Sequence, residues 1–224
     1  MQRDNRSRLS YVSSTLNGIV ASEIQKRIGL ASSIFYKSLE ESKATSILVF
    51  PTIESVYAAS IIFNEIVENG YKCKVRISPN IDESVLKEAL DPIIIVGYPI
   101  SQEYFKEIQS LDKSVIAFTR YGKIRFTKNS VLLCTEGPYN TIPSLAMKFL
   151  KELWDLNPLS YVAHIMSNIS LGLDFKGDLS GVESEIRSEA VKSKIVIEEL
   201  GFKFSNPKYK TAFQALHDTL NPYL

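Results

Sequence analysis

An α/β fold with a mostly parallel sheet flanked by helices and a helical C-terminal third is predicted by three observations. Short all-apolar runs, SILVF at 46–50 and PIIIV at 92–96, read as strands buried on both faces. Stretches with three- and four-residue apolar spacing separate them, and strands alternating with helices indicate crossover units. After Cys134 the strand pattern stops and only helical periodicity continues.

The elements follow in order. Leu9, Val12, Leu16, Ile19, Val20, Ile24 and Ile28 share helical spacing, with a break expected at Gly29 and a second helical piece over 31–39. Residues 46–50 form the first strand. Residues 54–69 (ESVYAASIIFNEIVEN) form a helix stopped by Gly70. YKCKVRIS at 71–78 alternates polar and apolar, a strand with one wet face. Asp82 caps a short helix that ends near Leu90, and residues 92–96 return to a buried strand. A helix over 101–111 leads to a strand at 114–119 (SVIAFT), and two short strands follow at 123–126 and 130–134. Helices are expected over 141–156, 159–171, 180–200 and 211–220. One domain is expected across 1–224: an N-terminal helical segment to residue 45, a sheet region over 46–135 and a helical part over 136–224.

Composition limits the function classes. The chain has 224 residues, is 45% hydrophobic and 23% charged, and carries a net charge of +1. Global disorder, a strongly basic nucleic-acid coat and an acidic tail are excluded. Cys73 and Cys134 are the only cysteines, too few for a disulfide framework or a cysteine zinc site. Both lie in strand-like runs and read as buried free thiols, as in a reducing cytosol. No signal peptide is read at the N-terminus, and no apolar run approaches the ~20 residues of a membrane helix. A cytoplasmic protein is expected.

In open parallel sheets, ligands bind at the carboxyl ends of the strands. Those positions hold Pro51, Thr52, Ile53 and Glu54; Pro79 and Asn80; Gly97, Tyr98 and Pro99; Thr119, Arg120 and Tyr121; and Thr135, Glu136 and Gly137. They offer two scattered carboxylates, Glu54 and Glu136, and no histidine. A two-metal hydrolase needs several converging ligands at about 3.5–4 Å metal spacing. Glycine-rich phosphate loops and a G-x-S-x-G elbow are also missing. His164, on the apolar helix YVAHIMS, and His217 are the only histidines, and a structural role is the simpler reading of each.

The stretch ILVFPTIESVYAASIIFNEI at 47–66 resembles the opening of the DHH phosphoesterases, the RecJ class of single-strand nucleases. In that family the first strand runs into Asp-x-Asp-Gly, with Ser-Ala-Ala on the next helix. Aligning Ala58 and Ala59 places Pro51 and Ile53 at two metal-binding aspartates and Glu54 at the glycine. Gly97 falls at a further metal aspartate, and Thr119, Arg120 and Tyr121 at the Asp-His-His that names the family. The helix NTIPSLAMKFLKEL at 140–153 resembles the one after that motif. In residues 161–171 the family has another Asp where Ser167 or Asn168 stands here. The tail at 201–224 resembles archaeal RecJ-like proteins. The resemblance covers about 175 residues by this alignment. It implies a DHH-like domain with its metal ligands replaced: no catalytic residue, no metal and no cofactor. It further implies the degenerate archaeal branch, counterpart of the eukaryotic Cdc-forty-five protein. Such a protein is a replisome scaffold that binds the GINS complex, helps activate the MCM helicase in the CMG assembly, and lacks the second RecJ domain.

Several residues admit two readings. Arg120, Lys123, Arg125 and Lys128 form a basic run interleaved with Phe118, Tyr121 and Phe126. Cations on phosphates and rings under bases would make a single-strand DNA contact. The simpler reading is a solvated hairpin whose rings point inward. Lys72, Lys74 and Arg76 read as the wet side of an edge strand. The stripe Val182, Ile186, Ala190, Val191 and Ile197 suits packing on the domain itself better than a partner. Arg3, Arg6 and Arg8 read as a solvated end, Trp154 as core, and Glu54 as a cap on its own helix start. A rival reading places a nucleotide at Thr52, Arg120 and Thr135.

Overall fold

In the computed structural model, the described residues are 24–120, 122–123, 125–135, 141–157, 160–161, 163–164 and 167. A six-stranded sheet runs in the order β2-β1-β3-β4-β6-β5. Its strands are β1 (Ala44–Val49), β2 (Lys72–Ile77), β3 (Ile93–Val96), β4 (Val115–Thr119), β5 (Arg125–Phe126) and β6 (Ser130–Cys134). All neighbours pair in parallel except β5, which runs antiparallel to β6 at the sheet edge. The helices are α1 (24–42 as described), α2 (Ile53–Glu68), α3 (Glu83–Glu88), α4 (Gln102–Gln109) and α5 (Ile142–Lys151). Among the described residues no helix is long and apolar enough to cross a membrane.

Helices α1, α2 and α5 cover one face of the sheet, and α3 and α4 cover the other. The central strand β3 is fully buried because Ile93, Ile94, Ile95 and Val96 alternate between two apolar layers. Phe149 of α5 is edge-on to Phe35 of α1 at 5.5 Å and to Phe118 of β4 at 5.3 Å, which locks three elements together. Edge strand β2 alternates exposed Lys72, Lys74 and Arg76 with half-buried Cys73, Val75 and Ile77, as its sequence predicts.

Three sequence expectations need correction. Gly29 does not interrupt α1, because Ile28, Ala31, Phe35 and Leu39 form one buried stripe across it. The packing of that stripe outweighs the ~1 kcal/mol a helical glycine costs. Cys73 is half-buried rather than buried, although burial of its thiol still pushes its pKa up to about 12. The helix expected to reach 156 stops at Lys151, where Glu152 forms the C-cap and the chain turns back through Trp154. Trp154 does pack on the core, beside Tyr71 at 6.2 Å. The segments around Arg3, Arg6 and Arg8, around 180–200, and from 201 to the end lie outside the described residues.

Candidate functional site: a closed strand-end cleft

The order of an open sheet reverses between β1 and β3, since β2 lies on one side of β1 and β3–β4 on the other. A ligand crevice belongs there, beyond the carboxyl ends of the strands. Among the described residues, several turns and side chains crowd into it. Gly97, after β3, adopts φ +84° and donates its N–H to Phe118 O at 2.8 Å. A Cβ at Gly97 would stand 1.8 Å from Ser55 Oγ. Tyr98 folds back across β1, with its hydroxyl donating to Val49 O at 3.1 Å and to Ser78 O. Its ring meets Phe50 edge-on at 5.3 Å. Burial pushes the Tyr98 phenol up to about 12, so it stays a neutral donor at physiological pH.

The first βα turn is built by capping. Thr52 is the N-cap of α2, accepting from Ser55 N, and its hydroxyl meets Ser55 Oγ at 2.7 Å. Pro51 and Ile53 beside it are exposed, Ile53 at 49%. Glu54, in the first turn of α2, is nearly buried and turns across the site. Its Oε1 accepts from Ile142 N, at the start of α5, at 2.9 Å. Its Oε2 pairs with Arg120 Nε at 3.1 Å. Glu54 thus bonds a helix start, as its sequence suggests, but the bonded N–H belongs to α5, 88 positions away. Thr119 ends β4 buried, and Arg120 follows it, half-exposed and held by Glu54. Thr135 Oγ1 donates to Arg120 O at 3.1 Å.

A second polar chain leads from α5 to His164. Thr141, the N-cap of α5, meets Ser144 Oγ at 2.7 Å, and Ser144 Oγ meets His164 Nε2 at 2.9 Å. Burial and the Lys151 charge lower His164 to about 4, so its imidazole is neutral. Toward the C-terminal end of α2, buried Glu65 accepts from Asn157 N at 2.9 Å and from Ser160 Oγ. Asn157 and Ser160 are thereby tied to α2, and His164 to α5. Ser167 is buried there and donates to His164 O at 2.8 Å.

The structure brings together Pro51, Ile53, Glu54, Gly97, Thr119, Arg120 and Thr135 at one end of the sheet. Tyr121, Glu136 and Asn168 lie outside the described residues. Among the described residues, no three His, Cys, Asp or Glu side chains converge as metal ligands would. Thr52, Arg120 and Thr135, proposed above for a nucleotide, are each engaged within the chain. The basic run divides, with Arg120 paired to Glu54 and Lys123, Arg125 and Lys128 on or beside β5. Arg120 is drawn into the cleft, Phe118 is fully buried, and Phe126 is 47% exposed rather than turned inward. Sequence reasoning missed the Ser144–His164 contact and the Glu65 tie, since no local pattern marks either.

The sequence matches no family model and no curated relative. Solved structures do match. Exonuclease RecJ bound to manganese superposes with a TM-score of 0.54 at 12% identity, over 78% of this chain and 52% of that one. RecJ of Thermus thermophilus, in complex with Mn²⁺, gives 0.56 at 13% identity, over 86% and 31%. The chain has the RecJ fold. The Cdc-forty-five protein (CDC45) of Entamoeba histolytica matches with a TM-score of 0.47 at 11% identity, over 81% of this chain and 38% of that one. The chain therefore spans about half or less of each of these structures. Within the RecJ fold, the closed cleft described above is the strand-end region of its sheet.

Proposed function

We propose that this chain is a non-catalytic RecJ-fold scaffold of DNA replication, Cdc-forty-five-like, that binds GINS and helps activate the MCM helicase. One observation carries the loss of catalysis. Where the sequence resemblance aligns metal ligands, the chain has Pro51, Ile53, Gly97, Thr119 and Arg120, and the Arg120–Glu54 ion pair occupies the space between strand ends. A guanidinium keeps its charge at all ordinary pH and repels a divalent cation at close range. Glu54, the one carboxylate among the described strand-end residues, is already committed to that guanidinium and to Ile142 N. The partner assignment draws its support from the sequence resemblance to the degenerate archaeal branch.

Two experiments test the proposal. Purified protein with Mn²⁺ and single-stranded DNA is expected to leave the DNA intact. Degradation that is lost on Glu54→Ala or Glu136→Ala would overturn the scaffold reading. Gel filtration with light scattering, mixing the chain with GINS from the same organism, is expected to give one co-eluting complex. Two separate peaks at micromolar concentration would remove the partner assignment.

A further inference from the structure

We propose that the open sheet edge at β5 is a docking site for an acidic, extended polypeptide segment, which adds there as a further strand. The inference goes beyond the scaffold reading and does not depend on it.

Among the described residues, no strand pairs with the outer side of β5. Thr127 N donates to Ser130 O at 2.7 Å, while Phe126 faces Val131 and Arg125 faces Leu132. Hydrogen-bonded and non-hydrogen-bonded pairs alternate along an antiparallel ladder. Phe126 and Val131 are then the non-bonded pair, and the Phe126 N–H and C=O point away from β6, toward the open side. Such groups are what strand addition uses.

The side chains select the partner's charge. A groove of about 360 Å³ runs between β5 and α4, lined by Gln102, Phe105, Lys106, Gln109, Arg125 and Phe126, with no carboxylate. The α4 positions 102, 105, 106 and 109 share one helix face, which leaves Glu103 and Glu107 off it. Lys123 and Lys128 flank β5, both exposed. Among the described residues, none of Lys106, Lys123, Arg125 and Lys128 makes an ion pair. Positive charge along an edge blocks self-pairing and favours an acidic strand, so one device serves both ends.

The two faces of β5 differ, and an incoming strand would alternate to match. Arg125 lies opposite Leu132, on the α3–α4 side of the sheet. Phe126 lies opposite Val131, on the other side, where the Arg27 guanidinium stacks on its ring at 3.7 Å. A segment alternating acidic and apolar residues places carboxylates toward Arg125 and Lys106 and apolar groups beside Phe126. Single-stranded nucleic acid fits less well. It needs successive stacking rings, and of the rings described on this run Phe126 alone is exposed.

Fluorescence anisotropy on the full chain tests this. The probe is a labelled decapeptide alternating glutamate and valine. Its comparators are the lysine–valine peptide, a glutamate–valine peptide N-methylated at alternate amides, and oligothymidylate. Saturable binding of the first peptide is expected. N-methylation should weaken it at least about tenfold, as should Lys106→Glu with Arg125→Glu. Arg125→Gln serves as a milder second variant if the double reversal unfolds the chain, and should weaken binding by a smaller factor. Absence of saturable binding overturns the proposal, and so does equal binding of the N-methylated peptide. Binding of oligothymidylate but not the peptide, lost on Arg125→Gln, overturns it in favour of a nucleic-acid edge.

Discussion

At the residue scale, Gly97 shows how closely the strand-end turns pack. Its φ of +84° lies in the left-handed region, and Ser55 fills the space a Cβ would need. Gly97→Ala combines backbone strain with overpacking, each worth about 1–3 kcal/mol. We expect a loss of about 3 kcal/mol or more in urea unfolding. A near-neutral result would mean that the turn after β3 relaxes freely. Glu54 and Arg120 make a graded prediction. Glu54→Ala strips both the Ile142 N–H and the guanidinium of their acceptor, a cost of roughly 1–3 kcal/mol. Arg120→Ala leaves the Glu54–Ile142 bond in place, and the half-exposed pair it removes is worth no more than about 1 kcal/mol. Equal losses in the two variants would show that the ion pair, not the helix-start bond, holds α2 to α5.

At the element scale, legibility followed locality. Strand β3 could be read from four consecutive apolar residues, and α3, α4 and the edge character of β2 from a cap, an apolar stripe and an alternation. Gly29 misled because composition reports the weak helix former but not the buried stripe on either side of it. The docking of Asn157, Ser160 and His164 onto α2 and α5 was illegible. It depends on Glu65 meeting Asn157 and Ser160, and on Ser144 meeting His164, across long sequence separations. That docking carries a pH dependence. His164 is lowered to about 4 by burial first and Lys151 second. The unfolded chain takes up this proton near pH ~6.5, so stability rises with pH between roughly 4 and 6.5 and is fully present above that. The effect is on the order of 3 kcal/mol. Glu65 acts in the opposite sense. Burial raises it, against the bonds from Ser160 and Asn157, and the Glu68 charge raises it further. Its contribution is present below the ordinary carboxylate value and is lost as pH rises through the raised one. Substituting His164→Leu should remove the rise in urea midpoint between about pH 4 and 6.5 and leave the falling limb, with the lowered Glu40 and Asp82 still giving a rise at more acid pH. A wild-type and variant pair with the same rising limb would place the titrating group elsewhere.

At the scale of the whole molecule, the fold class and the sheet with its flanking helices were legible, because both depend on which segments are apolar and in what period. The state of the cleft was legible only in part. The sequence shows which ligand types stand at the strand ends, but not that Ser55, Tyr98 and the Arg120–Glu54 pair close the space between them. This difference decides what placing acids at the strand ends would do. Pro51 and Ile53 are exposed, so Pro51→Asp with Ile53→Asp should fold. A metal site also requires an open position and a ligand set free of competing charge. Here Arg120 supplies a fixed positive charge, and Gly97 cannot become a third aspartate without displacing Ser55. The double variant is therefore expected to show no rise in thermal midpoint with Mn²⁺, since an ion stabilises only where it binds the folded state. Adding Gly97→Asp should lower the midpoint with or without the metal. A Mn²⁺-dependent rise in the double variant would mean that the cleft can still open to a cation, and that its closure depends on Pro51 and Ile53 more than on the bonds behind them.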